Sequence, residues 1–207
     1  LAKKIASARN SQEDEPETPP NSPEVQALVD AGNVKEAAKA AQSERVRLNL
    51  HSADLQGADI QGADLRFADI KGADLRHASL QGANLQGADL RGADIRNTNF
   101  QDASLFGAEL QNANLQGADT QNADLRYANL QGADLREADL RGARLQSTDL
   151  QNADLRGANL RGVNLRGARL QGASLEGAQI DANTQLCELY WAIRITLGGR
   201  LNLVKLR

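Results

Sequence analysis

With 207 residues, 41% of them hydrophobic but only 3% aromatic, the chain can bury only a core of small aliphatic side chains. Its single cysteine, Cys187, excludes an intrachain disulfide framework and a Cys-based zinc site. A formal charge of −3 is too small to call for a nucleic-acid or membrane partner, and no apolar run approaches the roughly 18 residues of a membrane span.

Residues 1–21 begin with a short basic stretch, Leu1 to Ile5, and pass into an acidic, proline-rich segment from Ser11 to Pro20 without an apolar residue. Nothing there offsets the entropy of ordering, so 1–21 is expected to be a linker or disordered. Residues 22–47 predict an N-terminal helical cap of two short helices. Ser22 is placed to cap the first and Pro23 to occupy its first turn, with Val25, Leu28 and Val29 on one face and Gly32 at its end. Asn33 and Glu36 have capping-box spacing for the second, whose apolar stripe is Val34, Ala37, Ala38 and Ala41. Helices this short cannot fold alone, and their expected task is to cover the open N-terminal end of the repeats that begin at residue 48.

From residue 48 to residue 180 the chain repeats every five residues without insertion or deletion. Each position divisible by five from Leu50 to Ile180 is Leu or Ile, except Phe100 and Thr120, giving 27 consecutive periods. Two residues before each centre stands Ala, replaced only by Leu48, Thr98, Thr148 and Val163. Asp or Asn usually lies between them, and Gln or Arg followed by Gly comes after. Period five fits neither common template. A helix would scatter the Leu residues around its axis, and a flat strand would send them to alternate faces. Hiding every Leu requires the chain to turn once per repeat, at corners where Gly is the most permissive residue.

The pattern Ala-Asp/Asn-Leu-Gln/Arg-Gly resembles the pentapeptide-repeat family over about two thirds of the chain. That resemblance implies an all-β solenoid, a right-handed quadrilateral β-helix with four repeats per coil, to which the residues on either side add short α-helical elements at the N-terminus and C-terminus. About seven coils spaced ~4.8 Å apart would make a rod roughly 32 Å long.

Counting by twenty sorts the repeats onto four faces. One aligns Asp54, Asp74, Asp94, Asp134 and Asp154 beside Arg76, Arg96, Arg136 and Arg156, which reads as a self-neutralising solvated face or a charged docking strip. Inside, Phe100 and Thr120 are neighbours in one column, a large side chain compensated by a small one, and Thr120 then needs a backbone partner for its hydroxyl. The three outward aromatics, Phe67, Phe106 and Tyr127, fall on a single face with Arg66, Arg126 and Arg166 beside them. Aromatics with Arg are the composition of interface hot spots, so these six are the candidate partner-binding residues.

Residues 181–199 leave the pattern. Asp181 to Gln185 loosen the register, and Leu186 to Leu197, with Tyr190 and Trp191, predict a C-terminal helical cap or a homodimer surface. In residues 200–207, Arg200-Leu201-Asn202-Leu203 repeats Arg47-Leu48-Asn49-Leu50. This strand-like tail is expected to pair with the last coil or to restart the repeats in a chain cut short.

No catalytic constellation is present. His51 and His77 stand at outward sites on different faces, and the carboxylates come with the repeat on a convex surface without a pocket. The glycines mark corners rather than a phosphate loop. The chain therefore reads as a non-enzyme without cofactor or metal, and as a scaffold or protein–protein interaction module with an unidentified protein partner. The alternative comes from the family: some relatives mimic DNA and bind type II topoisomerases. Against it, residues 49–180 carry 17 acidic and 13 basic residues, far below the charge density of a duplex. Direct nucleic-acid binding is disfavoured by Arg alternating with Asp. The absence of a signal-peptide pattern favours a soluble, cytoplasmic chain, although one that starts at Leu1 is either processed or a piece.

Overall fold

On the inner turns, a repeat with Asp or Asn at its polar site finds an acceptor for every backbone N–H, and the accounting explains the five-residue motif. In residues 130–134 of a computed structural model, which describes residues 18–185, Leu130 N–H donates to Asp149 O at 2.7 Å and Gly132 N–H to Gln151 O at 2.9 Å, both on the following turn of the chain. Ala133 N–H closes the corner onto Leu130 O at 3.1 Å, and Asp134 N–H reaches back to Ala113 O at 3.0 Å. The fifth donor, Gln131 N–H, has no backbone acceptor and takes Asn129 Oδ1 at 3.2 Å. Asp or Asn suits that site because a short side chain can accept from the N–H two residues on.

Each polar residue pairs in parallel with the one twenty residues later, from Asn49↔Asp69 to Asn159↔Gln179, so four columns of bridges run along the molecule. Pairing is by single bridges separated by turns, and no continuous strand occurs among the described residues. One residue per face pairs before the chain must turn again. The corner residue after Gln or Arg sits in the left-handed region, with Gly132 at φ 66°.

The Leu, Ile and Ala columns form one buried cluster that also takes in Val25, Val34, Ala37, Ala38 and Ala41 of the two helices. Phe100 and Thr120 are both fully buried. Thr120 Oγ1 donates to Asp139 O at 3.1 Å, the backbone partner its burial requires. Thr98 and Thr148, at Ala sites, donate in the same way to Leu75 O at 2.7 Å and Leu125 O at 2.8 Å.

Helix α1 spans Pro23–Asp30 and α2 spans Val34–Glu44. Ser22 caps α1 by accepting from Val25 N–H at 3.3 Å. The capping box at Asn33 does not form: its side chain makes no cap bond, and Glu36 instead pairs with Lys39 at 2.7 Å. Asn33 has φ −87° and ψ 57°, and its N–H closes α1 onto Leu28 O, so its backbone is not extended as a capping residue requires.

The first turn of the solenoid has no earlier one to pair with. Asn21 stands in for it, its amide donating to Asn49 O at 2.7 Å and accepting from Asn49 N–H at 2.8 Å, while Gln42 donates to Asp64 O at 3.1 Å. At the other end the register slips by one residue, so that Asn164 pairs with Gln185. Asp181 accepts from Gly162 N–H at 2.9 Å, and Thr184, now at an Ala site, donates to Leu160 O at 3.0 Å. Expectations for the linker before Thr18, for the C-terminal helix with Cys187, Tyr190 and Trp191, and for the tail at 200–207 lie outside the described residues.

Candidate interaction face

On the column that pairs Asp64, Asn84, Ser104, Asp124, Arg144 and Asn164, the outward residues are Arg66, Phe67, Phe106, Arg126, Tyr127 and Arg166. Phe106 and Tyr127 lie on successive turns with ring centroids 5.2 Å apart and planes tilted by 59°, and the Arg126 guanidinium lies 5.5 Å from the Phe106 centroid. These three residues are brought together as one cluster. Phe67 is two turns away from Phe106, yet its ring leans along the axis. A Cβ on Gly87 would stand 2.8 Å from it, so Phe67 covers the intervening turn. Arg66 is held by Asp64 at 2.7 Å, and exposed Arg166 makes no ion pair among the described residues.

Two of these aromatics occupy corner sites normally held by Gly. Phe67 has φ 59° and Tyr127 has φ 60°, the left-handed region in which a bulky L-residue is strained by about 1–2 kcal/mol. Both are about 60% exposed, at 59% and 61%, so little burial compensates. The same left-handed corner is held elsewhere by other non-Gly residues, His77 and Glu137 among them, so what sets Phe67 and Tyr127 apart is an exposed aromatic ring.

Val46 was missed as a member of this face. It is 44% exposed and, twenty residues before Arg66, belongs to the same column. Among the described residues the exposed large hydrophobics are Val46, Phe67, Tyr127 and Ile180, and only Ile180, on the final turn, lies elsewhere. Counting back one turn from Arg66 would have found it.

On the neighbouring face of Asp and Arg every Arg is paired, and the acids remain in excess, seven against four. Each Arg folds back on the Asp two residues before it, as in Arg96–Asp94 and Arg136–Asp134, both 2.6 Å, and Arg76 and Arg136 also approach the Asp of the next turn at 3.8 Å. These guanidinium hydrogen bonds hold Asp64, Asp74, Asp94, Asp124, Asp134 and Asp154 below the ordinary 3.8. At Asp89 and Asp139 burial works upward and is outweighed by Arg91 and Arg141. Because the unfolded carboxylates bind protons first, the stability these pairs contribute is present above about pH 4 and lost as pH falls. A melting series should be flat from neutral pH to about 5 and decline below about 4. A decline beginning near pH 6 would mean that other groups control acid stability.

His51 and His77 are exposed on different columns, and no group of three or more His, Cys, Asp or Glu is placed to hold a metal among the described residues. Nor is any described helix long and apolar enough to cross a membrane.

The sequence profile described as Pentapeptide repeats matches residues 49–87, 83–119, 103–142, 121–157 and 138–177, overlapping segments that cover most of the chain. The chain belongs to the pentapeptide-repeat family. Its members form right-handed β-helices, and columns of parallel bridges twenty residues apart suit that architecture. Among solved structures it is similar to alr5209, a pentapeptide repeat protein from Nostoc Pcc 7120, with 52% identity over 44% of this chain and 76% of that one, at a TM-score of 0.44. It also resembles QnrB1, a plasmid-mediated fluoroquinolone resistance protein, at 19% identity over 68% of this chain and 78% of that one, with a TM-score of 0.56. HetL, involved in heterocyst differentiation regulation in the cyanobacterium Nostoc sp. strain PCC 7120, is 25% identical over 70% of this chain and 93% of that one, at a TM-score of 0.35. No curated protein matches the chain. Pentapeptide-repeat proteins are generally structural or interaction modules, and the QnrB1 likeness bears on fold alone.

Proposed function

We propose that this protein is a non-catalytic scaffold that captures a protein partner through the face carrying Phe67, Phe106, Tyr127, Arg66, Arg126 and Arg166. The observation that carries the proposal is the placement of exposed Phe67 and Tyr127 at left-handed corners, where Gly would fit without strain. A rigid rod gives such side chains fixed spacing, so little ordering entropy opposes binding. Replacing Phe106 and Tyr127 together by Ala is expected to weaken capture of a partner from native extract by at least about tenfold, as hot-spot truncation does, with the melting temperature little changed. Equal capture by the double variant would refute the assignment.

Binding to a type II topoisomerase is the second reading, favoured only by the shared fold with QnrB1. The folding of Arg76, Arg96, Arg136 and Arg156 onto their Asp partners removes much of the negative field that imitation of a duplex needs. A gyrase supercoiling assay separates the two, since a scaffold leaves the enzyme's rate untouched.

A further inference from the structure

The four faces differ in charge. Taking residues 48–185 column by column, the face centred on Asp69 and Asp89 carries four acidic and three basic residues. The Asp-and-Arg face carries seven and four, and the next, with Asp119 and Asp139, five and two. The aromatic face reverses the sign, with only Asp64 and Asp124 against Arg66, Arg126, Arg144 and Arg166. Arg45 and Arg47 extend it at the N-terminal end. In a chain of net charge −3, the single basic face is also the one that bears every outward aromatic of the repeats.

Its two acids do not cancel it. Asp64 is engaged by Arg66 at 2.7 Å, and Asp124 by Arg126, leaving Arg144 only a 3.9 Å approach to Asp124. Arg45 and Arg166 make no ion pair among the described residues. Where α2 meets the first turn, a hollow of about 380 Å³ has an apolar lining that includes Ala38, Val46 and Phe67, with Arg45, Arg47 and Arg66 beside Asp64, and Arg47 also approaches Asp89 at 3.9 Å.

The geometry points to one occupant: an extended acidic segment of a partner protein, with an apolar side chain seated in this hollow and carboxylates running along the face to Arg126, Arg144 and Arg166. The inference rests on the interaction face proposed above and adds the chemical class of its partner. Arg126 is three turns beyond Arg66 and Arg166 is five, about 14 and 24 Å at ~4.8 Å per turn. An extended chain advancing ~3.3 Å per residue would place Asp or Glu about four and seven residues from the apolar anchor. A carboxylate beside Arg166 gains a bidentate guanidinium contact, one beside Arg126 shares that guanidinium with Asp124, and the ridge of Phe67, Phe106 and Tyr127 packs the intervening side chains.

The test is a selection of random peptides displayed on phage, long enough to span five turns, with the full chain as bait. Enrichment of peptides with an apolar residue followed by Asp or Glu supports the inference, as does loss of about tenfold or more in their affinity for Arg144→Glu with Arg166→Glu. Arg161→Glu, on an adjacent face, should leave the affinity unchanged. Enrichment of basic or neutral peptides, no enrichment, equal binding to the Arg144 and Arg166 double variant, or displacement of the peptides by a single-stranded oligonucleotide would each overturn it. If Phe106→Ala with Tyr127→Ala leaves native capture intact, the face itself fails. If that capture falls while the selected peptides are not acidic, only the partner class fails.

Discussion

Replacing Thr120 by Leu is expected to destabilise the rod by about 1–3 kcal/mol, although Leu is the residue found at nearly every equivalent site. Phe100 and Thr120 occupy adjacent turns of one column, joined by Phe100 N–H to Asp119 O at 2.7 Å, and both are fully buried. A ring larger than Leu on one turn would leave space on the next for only a small side chain, and that coupling is what the prediction tests. Leu at 120 also removes the hydroxyl bond to Asp139 O, whose carbonyl keeps its bond from the residue 120 N–H at 2.8 Å. Lost hydrogen bonding is therefore the minor part, and overpacking the major. The double change to Leu at 100 and 120 should recover most of the loss. Additive shifts in thermal melting would show that the two sites are not coupled.

Gly117→Ala is expected to cost about 1–2 kcal/mol, chiefly from left-handed strain, with a smaller part from a side-chain clash. Gly117 sits at φ 66°, and a Cβ there would meet Asn97 Oδ1 at 2.5 Å. Asn97 is itself at φ 56° on the preceding turn, and its side chain leans over the glycine. Asn97→Gly in the Gly117→Ala background should restore the part due to the clash and leave the part due to backbone strain. No recovery would mean that strain alone sets the cost. The same arrangement recurs at Asn112 over Gly132 and Asn122 over Gly142, whereas Asn97 itself follows His77 and Asn122 follows Asp102, so glycine one turn later is favoured and not required.

Much of this architecture is legible in the sequence because one period governs both burial and hydrogen bonding. Leu at every fifth position dictates a turn per repeat, and Asp or Asn before it supplies the acceptor that the corner N–H lacks. The ends are less legible. Nothing in the letters of Asn21 says that its amide replaces a missing turn, because that role needs α1 folded back on Asn49. The slip that pairs Asn164 with Gln185 depends on Thr184 taking an Ala site one residue late, a role foreshadowed only by Thr98 and Thr148. For the candidate face, counting by twenty finds Phe67, Phe106 and Tyr127, but charge counted along the chain hides that this column alone is basic. The lean of Phe67 over Gly87 follows from a left-handed backbone that composition does not reveal.

The central claim is that Phe67 and Tyr127 are kept for binding and not for folding. The most direct measurement pairs melting with partner capture for Phe67→Gly combined with Tyr127→Gly. Relief of left-handed strain, about 1–2 kcal/mol per site, opposes the flexibility added to the unfolded chain and the lost Phe106–Tyr127 contact. The account predicts a melting temperature that is unchanged or raised, with capture reduced by at least about tenfold. A lowered melting temperature with undiminished capture would contradict it, showing that the aromatic ridge serves the rod and not a partner.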